Sequence, residues 1–214
     1  MLAPRKKLWS TPLEVIEESI KQLNITDRDI VYDIGYNDQK YIYDVLLFVY
    51  SSLLNHLLMF DLSFLMLNVS CSNTFSAGDG RFLIRCSQLC QARCIGIEID
   101  DERAGTAKKN CEESEVAHLC DIICGNALDQ SYADGTVFFL YLVPRGLRLI
   151  IPILQDIPHF IRVITYMSPL PEPFCPVRTL KVSTSNHEGA EWPIYLYHLN
   201  QMKESNHTNE KTLI

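Results

Sequence analysis

Apolar residues first recur at helical spacing at Val15, Ile16, Ile20 and Leu23. Ahead of them Thr11-Pro12-Leu13-Glu14 has the form of a capping box with proline at the first helical position, so the pattern predicts a helix over 12–23. After the polar turn Asp27-Arg28-Asp29, the β-branched run Ile30-Val31-Tyr32-Asp33-Ile34-Gly35 reads as a buried parallel strand entering a tight turn. A long apolar block follows, and beyond it the alternation resumes. A helix is predicted over 82–92, a strand over 94–100, a solvated helix over 101–114, and strands over 120–124, 137–142 and 161–166. A helix over 147–155, marred by Pro152, precedes the fifth of these strands, and a last strand covers 192–199. Strands alternating with helices predict an α/β fold, a Rossmann-like open and mostly parallel sheet with helices on both faces. In such sheets ligands bind beyond the carboxyl ends of the strands, at the switch point beside the first one.

The apolar block, residues 36–76, carries only four charges: Asp38, Lys40, Asp44 and Asp61. Its run VLLFVYSSLLNHLLMF over 45–60 is uncharged before Asp61 interrupts it. A spanning helix wants about 20 apolar residues, and an aspartate near mid-span costs roughly 2.5–3.5 kcal/mol. Membrane contact through 41–69 is therefore the lesser expectation. The position of the block says more, because it splits a strand from the glycine turn that should follow it. Removing it would restore Asp-Ile-Gly-Ala-Gly-Asp-Gly-Arg in one frame, and its Gly-Tyr and Phe-Ser boundaries can encode splice signals, so a translated intron is one reading of it.

Composition changes this picture little. A length of 214 residues suits one domain, and 47% hydrophobic with 21% charged residues excludes a disordered polyelectrolyte and a polytopic membrane protein. A net charge of −7 gives no counterion-release footing for a duplex, so nucleic acid is not an expected partner. Arg5-Lys6-Lys7 is not followed by an apolar signal core, which predicts a cytoplasmic protein, with a mitochondrial address as the other reading. The eight cysteines are then thiols. Cys86-x3-Cys90-x3-Cys94 is one residue off an iron–sulfur spacing, and Cys86 and Cys90 at i,i+4 are expected to share the buried face of a helix. No histidine pattern has metal-ligand spacing, so no metal is expected.

Read across the block, Asp33-Ile34-Gly35 joins Ala77-Gly78-Asp79-Gly80-Arg81. Glycines belong where the backbone turns sharply and approaches a ligand, and the amides of the following helix start favour an anion such as a carboxylate. Eighteen residues after Gly80 stands Glu98, an acidic group near a strand end that can accept from two ribose hydroxyls. At the next strand end, Gly125-Asn126-Ala127-Leu128 offers an amide suited to an adenine edge, or one that only caps a turn. Asp33 is open to a purely local role in the same way.

Together these segments resemble the class I S-adenosylmethionine-dependent methyltransferases, over the 173 residues outside the block except the tail. The runs W-S-T-P-L-E-V, G-D-G-R-F, G-I-E-I-D and F-F-L-Y-L-V-P are similar to a group of small stand-alone methyltransferases, some of which modify protein lysines. The resemblance implies S-adenosyl-L-methionine as cofactor. Asp33, Gly35, Gly78 and Gly80 would line its methionine end, Glu98 its ribose and Asn126 its adenine, although many relatives have aspartate at the last position. It also places Tyr141, after the fourth strand, toward the methyl acceptor, where its hydroxyl or ring orients the substrate; a half-buried strand tyrosine is the plainer reading. The acceptor is expected to be a substrate such as a protein lysine amine.

The implied organisation is an N-terminal helical segment over 1–29 that covers the site, a methyltransferase domain over 30–199 interrupted by 36–76, and a polar tail over 200–214. With its cofactor loop split, the chain has a second reading, an inactive methyltransferase-like isoform or binding protein whose insertion contacts a partner or membrane.

Overall fold

The computed structural model describes residues 11–35, 78–185 and 191–200. The apolar block, and with it the readings of membrane contact and of an intron, lies outside the described residues, as does the tail from 201. Among the described residues seven strands form one sheet: β1 (Ile30–Gly35), β2 (Arg93–Glu98), β3 (Cys120–Cys124), β4 (Val137–Tyr141), β5 (Ile161–Tyr166), β6 (Arg178–Ser183) and β7 (Glu191–Leu199). Their order is β3-β2-β1-β4-β5-β7-β6. The first five run parallel, while β7 is antiparallel to both β5 and β6.

Among the described residues four helices cover this sheet: α1 (Leu13–Leu23), α2 (Arg81–Cys90), α3 (Asp101–Glu113) and α4 (Pro144–Gln155). The apolar residues of α1, α2 and α3 join one core, and those of α4 join a second on the opposite face. Strand β4 shows why, since all five of its residues are buried and successive side chains enter opposite cores. Phe139 stacks on Phe82 of α2 at 4.2 Å between ring centroids, whereas Phe138 stacks on Tyr32 at 5.4 Å with Tyr132 edge-on to both. The expected layered α/β architecture is present. No helix among the described residues is long and apolar enough to cross a membrane.

At the end of the sheet away from the glycine turn, Asp29 ties three elements together. Its carboxylate accepts from the Thr26 amide at 2.8 Å, the Thr136 hydroxyl at 2.8 Å and the Arg162 guanidinium. Arg162 also donates to the carbonyls of Leu23 and Asn24, which fixes the end of α1 to β5. Burial alone would raise the Asp29 carboxyl, but these hydrogen bonds hold it below its ordinary value.

Three local expectations are corrected. Pro12 is itself the cap of α1 and supplies no side-chain cap, and Glu14 accepts from the Ser185 amide and hydroxyl at 3.0 and 2.7 Å, so the capping box is not formed as expected. The second strand stops at Glu98, because the Asp100 carboxylate turns to accept from the Arg103 amide and caps α3. Helix α4 begins at Pro144, three residues early, since proline at the first helical position loses no hydrogen bond. Strand β6 was not expected at all.

Candidate functional site

Strands β1 to β4 end on the same side of the sheet, at Gly35, Glu98, Cys124 and Tyr141. The register sets Gly35 opposite Tyr141 and Glu98 opposite Cys124, and the Gly125 amide donates to the Glu98 carbonyl at 2.8 Å. The residues that follow the apolar block return to this edge. Gly78 and Gly80 take positive φ of 58° and 77°, the left-handed region that favours glycine, and α2 starts immediately after them. A Cβ on Gly80 would lie 3.3 Å from the Cβ of Ala107, so the turn is pressed directly onto α3. Asn110 of α3 donates to the Asp79 carbonyl at 2.8 Å and secures it further. The Asp79 carboxylate receives Nε of Arg81 at 2.8 and 3.0 Å, and Arg81 reaches the Thr11 carbonyl at 3.4 Å. Burial pushes Asp79 up, but this guanidinium keeps it below the ordinary carboxylate range.

Asp33, buried near the end of β1, is pushed up to about 8 by desolvation and then by the carboxylates of Asp79 and Glu98. Three acidic groups far apart in sequence are thus electrostatic neighbours. Glu98 is fully buried. Its Oε1 accepts from the Asp100 amide at 2.9 Å, while Oε2 has no hydrogen-bond partner among the described residues. An unpaired buried polar atom of this kind costs about 1–3 kcal/mol, more when charged, so a donor from a bound molecule suits it.

Asn126 is placed differently. Its Oδ1 accepts from the Leu128 amide at 3.0 Å and its Nδ2 donates to Asp129 at 3.1 Å, so the side chain caps the short 3-10 turn Ala127–Asp129. Tyr141 is buried, with its ring 4.6 Å from that of Tyr166, and desolvation pushes its phenol up to about 12. It keeps its proton at neutral pH and is a hydrogen-bond donor, not a base. The structure therefore gathers Asp33, Gly78, Gly80 and Glu98 around the first two strand ends, and sets Gly35 and Tyr141 side by side on the next pair. Asp79 and Asn110 were missed as organisers of the turn. Asp79 between two glycines was a signal available in the sequence, whereas Asn110 is indistinguishable there from the polar face of a surface helix. No group of three or more histidine, cysteine or acidic side chains among the described residues is placed to hold a metal.

The strand order, the glycine turn after β1 and the acidic residue ending β2 define the fold of the class I S-adenosylmethionine-dependent methyltransferases. No family model matches the chain. A protein-lysine N-methyltransferase from Saccharolobus islandicus (strain REY15A) is 26% identical over 195 residues, which cover 90% of this chain and 93% of that relative. An RNA methyltransferase from Salinibacter ruber in complex with S-adenosyl-L-homocysteine superposes with a TM-score of 0.64 at 23% identity, covering 91% of this chain and 97% of that one. A precorrin-6y C5,15-methyltransferase from Geobacter metallireducens GS-15 gives a TM-score of 0.57 at 15% identity, over 90% and 89% of the two chains. These likenesses lend no support to the exclusion of nucleic acid drawn from net charge, nor to the reading of an inactive binding protein.

Proposed function

We propose that the chain is an S-adenosylmethionine-dependent methyltransferase that acts on a protein amine. The observation that carries the reading is the buried Glu98 carboxylate, whose Oε2 is left for a donor at the end of β2. Ribose hydroxyls are such donors. In this reading Glu98 holds the ribose, and Gly35, Gly78 and Gly80 let the backbone come close to the methionine end beside Asp33. Asn126, whose amide is engaged in its own turn, presents that turn to the adenine.

When bound, the cofactor supplies a methyl group already activated on a sulfonium, so the protein's work is alignment and exclusion of water. The acceptor nitrogen needs its lone pair. A buried surrounding such as that of Tyr141 and Tyr166 favours the neutral amine over the ammonium. The Tyr141 phenol, protonated at neutral pH, orients the acceptor by donating a hydrogen bond or by ring contact.

The Saccharolobus relative supports an amine acceptor, and the Salinibacter structure makes RNA the competing one. Calorimetric titration with S-adenosyl-L-homocysteine tests the cofactor site. Glu98→Gln is expected to weaken binding about 10- to 100-fold, the value of one or two hydrogen bonds to a charged group; unchanged affinity removes the reading. Labelled methyl transfer to a cell lysate separates the acceptors, with label that survives nuclease and is released by protease expected.

A further inference from the structure

The first turn of α1 has no side-chain cap and bonds outward instead. In a capping box the glutamate reaches back to the amide of the cap residue, but the cap of α1 is Pro12, which has no N–H to offer. Glu14 turns to the end of β6, where its Oε1 accepts from both the amide and the hydroxyl of Ser185, at 3.0 and 2.7 Å. On the other side of the same turn, the Thr11 carbonyl accepts from Arg81, whose guanidinium also grips Asp79 inside the glycine turn. Glu17 of the next turn accepts from Nε of Arg85 at 2.9 Å, which fixes α1 to α2. The start of α1 is thus bonded to the glycine turn and to the end of β6 at once.

Strand β7 is antiparallel to both β5 and β6, so β6 runs with β5 and Ser185 lies beyond its carboxyl end. That is the edge at which Tyr141 ends β4 and Tyr166 ends β5. The contacts continue inward from there. Thr184, buried beside Ser185, accepts from the indole N–H of Trp192 at 3.2 Å. The Trp192 ring stands 6.3 Å from that of Tyr166, and Tyr166 stands 4.6 Å from Tyr141, both within the range in which aromatic rings attract. Tyr166 and Tyr141 are buried in the core that α1 covers, and Trp192 packs against it. A close-packed row of this kind moves as a unit, so what holds Ser185 bears on Tyr141.

We propose that Glu14 is a positioning residue for the methyl acceptor: through Ser185 it holds the aromatic wall of Trp192, Tyr166 and Tyr141 in place relative to the glycine turn that Arg81 ties to the same helix end. The inference rests on the methyltransferase reading, in which Tyr141 orients the acceptor and the glycine turn shapes the cofactor site. In-line transfer depends on the distance and angle between the sulfonium carbon and the acceptor nitrogen, and a misplacement of about 1 Å costs up to about 100-fold in rate. Glu14 therefore governs the rate of transfer and not the affinity for the cofactor.

The test uses the full chain with Trp9→Phe, which leaves Trp192 the single indole of the sequence. Glu14→Ala is expected to shift the Trp192 emission to the red, to open the indole to acrylamide quenching, and to slow labelled methyl transfer to lysate proteins roughly tenfold at saturating cofactor. Affinity for S-adenosyl-L-homocysteine should stay within about twofold, because the cofactor turn keeps its own bonds to Arg81 and Asn110. Glu14→Gln keeps an oxygen able to accept from Ser185 and is expected to restore both emission and rate. Emission and transfer that Glu14→Ala leaves unchanged overturn the proposal, as does a parallel loss of homocysteine-cofactor affinity or a failure of Glu14→Gln to rescue. A parent chain that transfers no label ends the methyltransferase reading and the proposal with it, so this control tells the two failures apart.

Discussion

Gly80 and Ala107 are in such close contact that a Cβ on the glycine would come within 3.3 Å of the alanine Cβ. The glycine turn is therefore held from two directions, by its own left-handed backbone and by the helix packed on it. Gly80→Ala asks for a positive φ at a residue with a side chain, worth about 1–2 kcal/mol, and also pushes α3 outward. We expect it to lower the unfolding free energy measured in urea by that amount and to weaken S-adenosyl-L-homocysteine binding at least tenfold. An unaltered dissociation constant would show that the turn does not shape the cofactor site.

Asp33 makes a prediction about pH. With a folded value near 8, above the unfolded value of about 3.9, it binds a proton in the native state that the unfolded chain has already released. The sign follows directly: its contribution to stability is complete below about pH 4 and is lost as pH rises through 8. A cationic ligand beside it favours the ionised form, so affinity for S-adenosylmethionine should climb between pH 6 and 8 and level off above. Asp33→Asn should flatten both dependences. A wild-type affinity that is constant over this range would contradict the assignment.

The opposite sign applies to Asp29. Its folded value lies below the ordinary one, so its stabilisation is present above about pH 4 and disappears as pH falls through the folded value. Removing one member of a buried, multiply hydrogen-bonded pair costs about 3 kcal/mol or more. Asp29→Ala should lose that amount in urea unfolding at pH 7, and less as pH falls through the folded value. Cofactor affinity, measured well below the unfolding transition, should be unaffected, because the pair lies at the other end of the strands.

The sequence made the order of strands and helices legible because the sheet is buried on both faces and its strands are continuous apolar runs, as in Val137–Tyr141. Strand β6 escaped for the complementary reason. Among the described residues it is an edge strand paired with β7 alone, with Arg178, Thr179, Lys181 and Ser183 exposed, so only Leu180 and Val182 alternate toward the core, too short an apolar pattern to mark a strand. At the site, Glu98 stood out as an acidic residue near the end of an apolar strand, with Asp100 and Asp101 already at hand to cap the next helix. Asn126 was ambiguous for a chemical reason: an asparagine at a strand end caps a turn as readily as it meets a ligand, and here its amide caps the turn. The proximity of Asp79 to Asp33 depends on the fold, which brings together segments separated by the apolar block.

The block itself yields the sharpest test of the cofactor reading. Lengthening a loop costs little in chain entropy, about 0.6 kcal/mol for each doubling, so a sheet with residues 36–76 inserted after β1 remains affordable. Ligand alignment is less forgiving, since in the proposed reading Gly35 and Gly78 approach one molecule from either side of the inserted chain. A version lacking residues 36–76 joins Gly35 to Ala77 directly and should bind S-adenosyl-L-homocysteine at least tenfold more tightly than the intact chain, with a similar far-ultraviolet dichroism per folded residue. Equal affinities would mean that the block is accommodated without disturbing the turn. Transcript sequencing supplies the independent arm: a mature message lacking the segment that encodes 36–76 is expected if the block is intronic, and a dominant message that retains it rules that origin out.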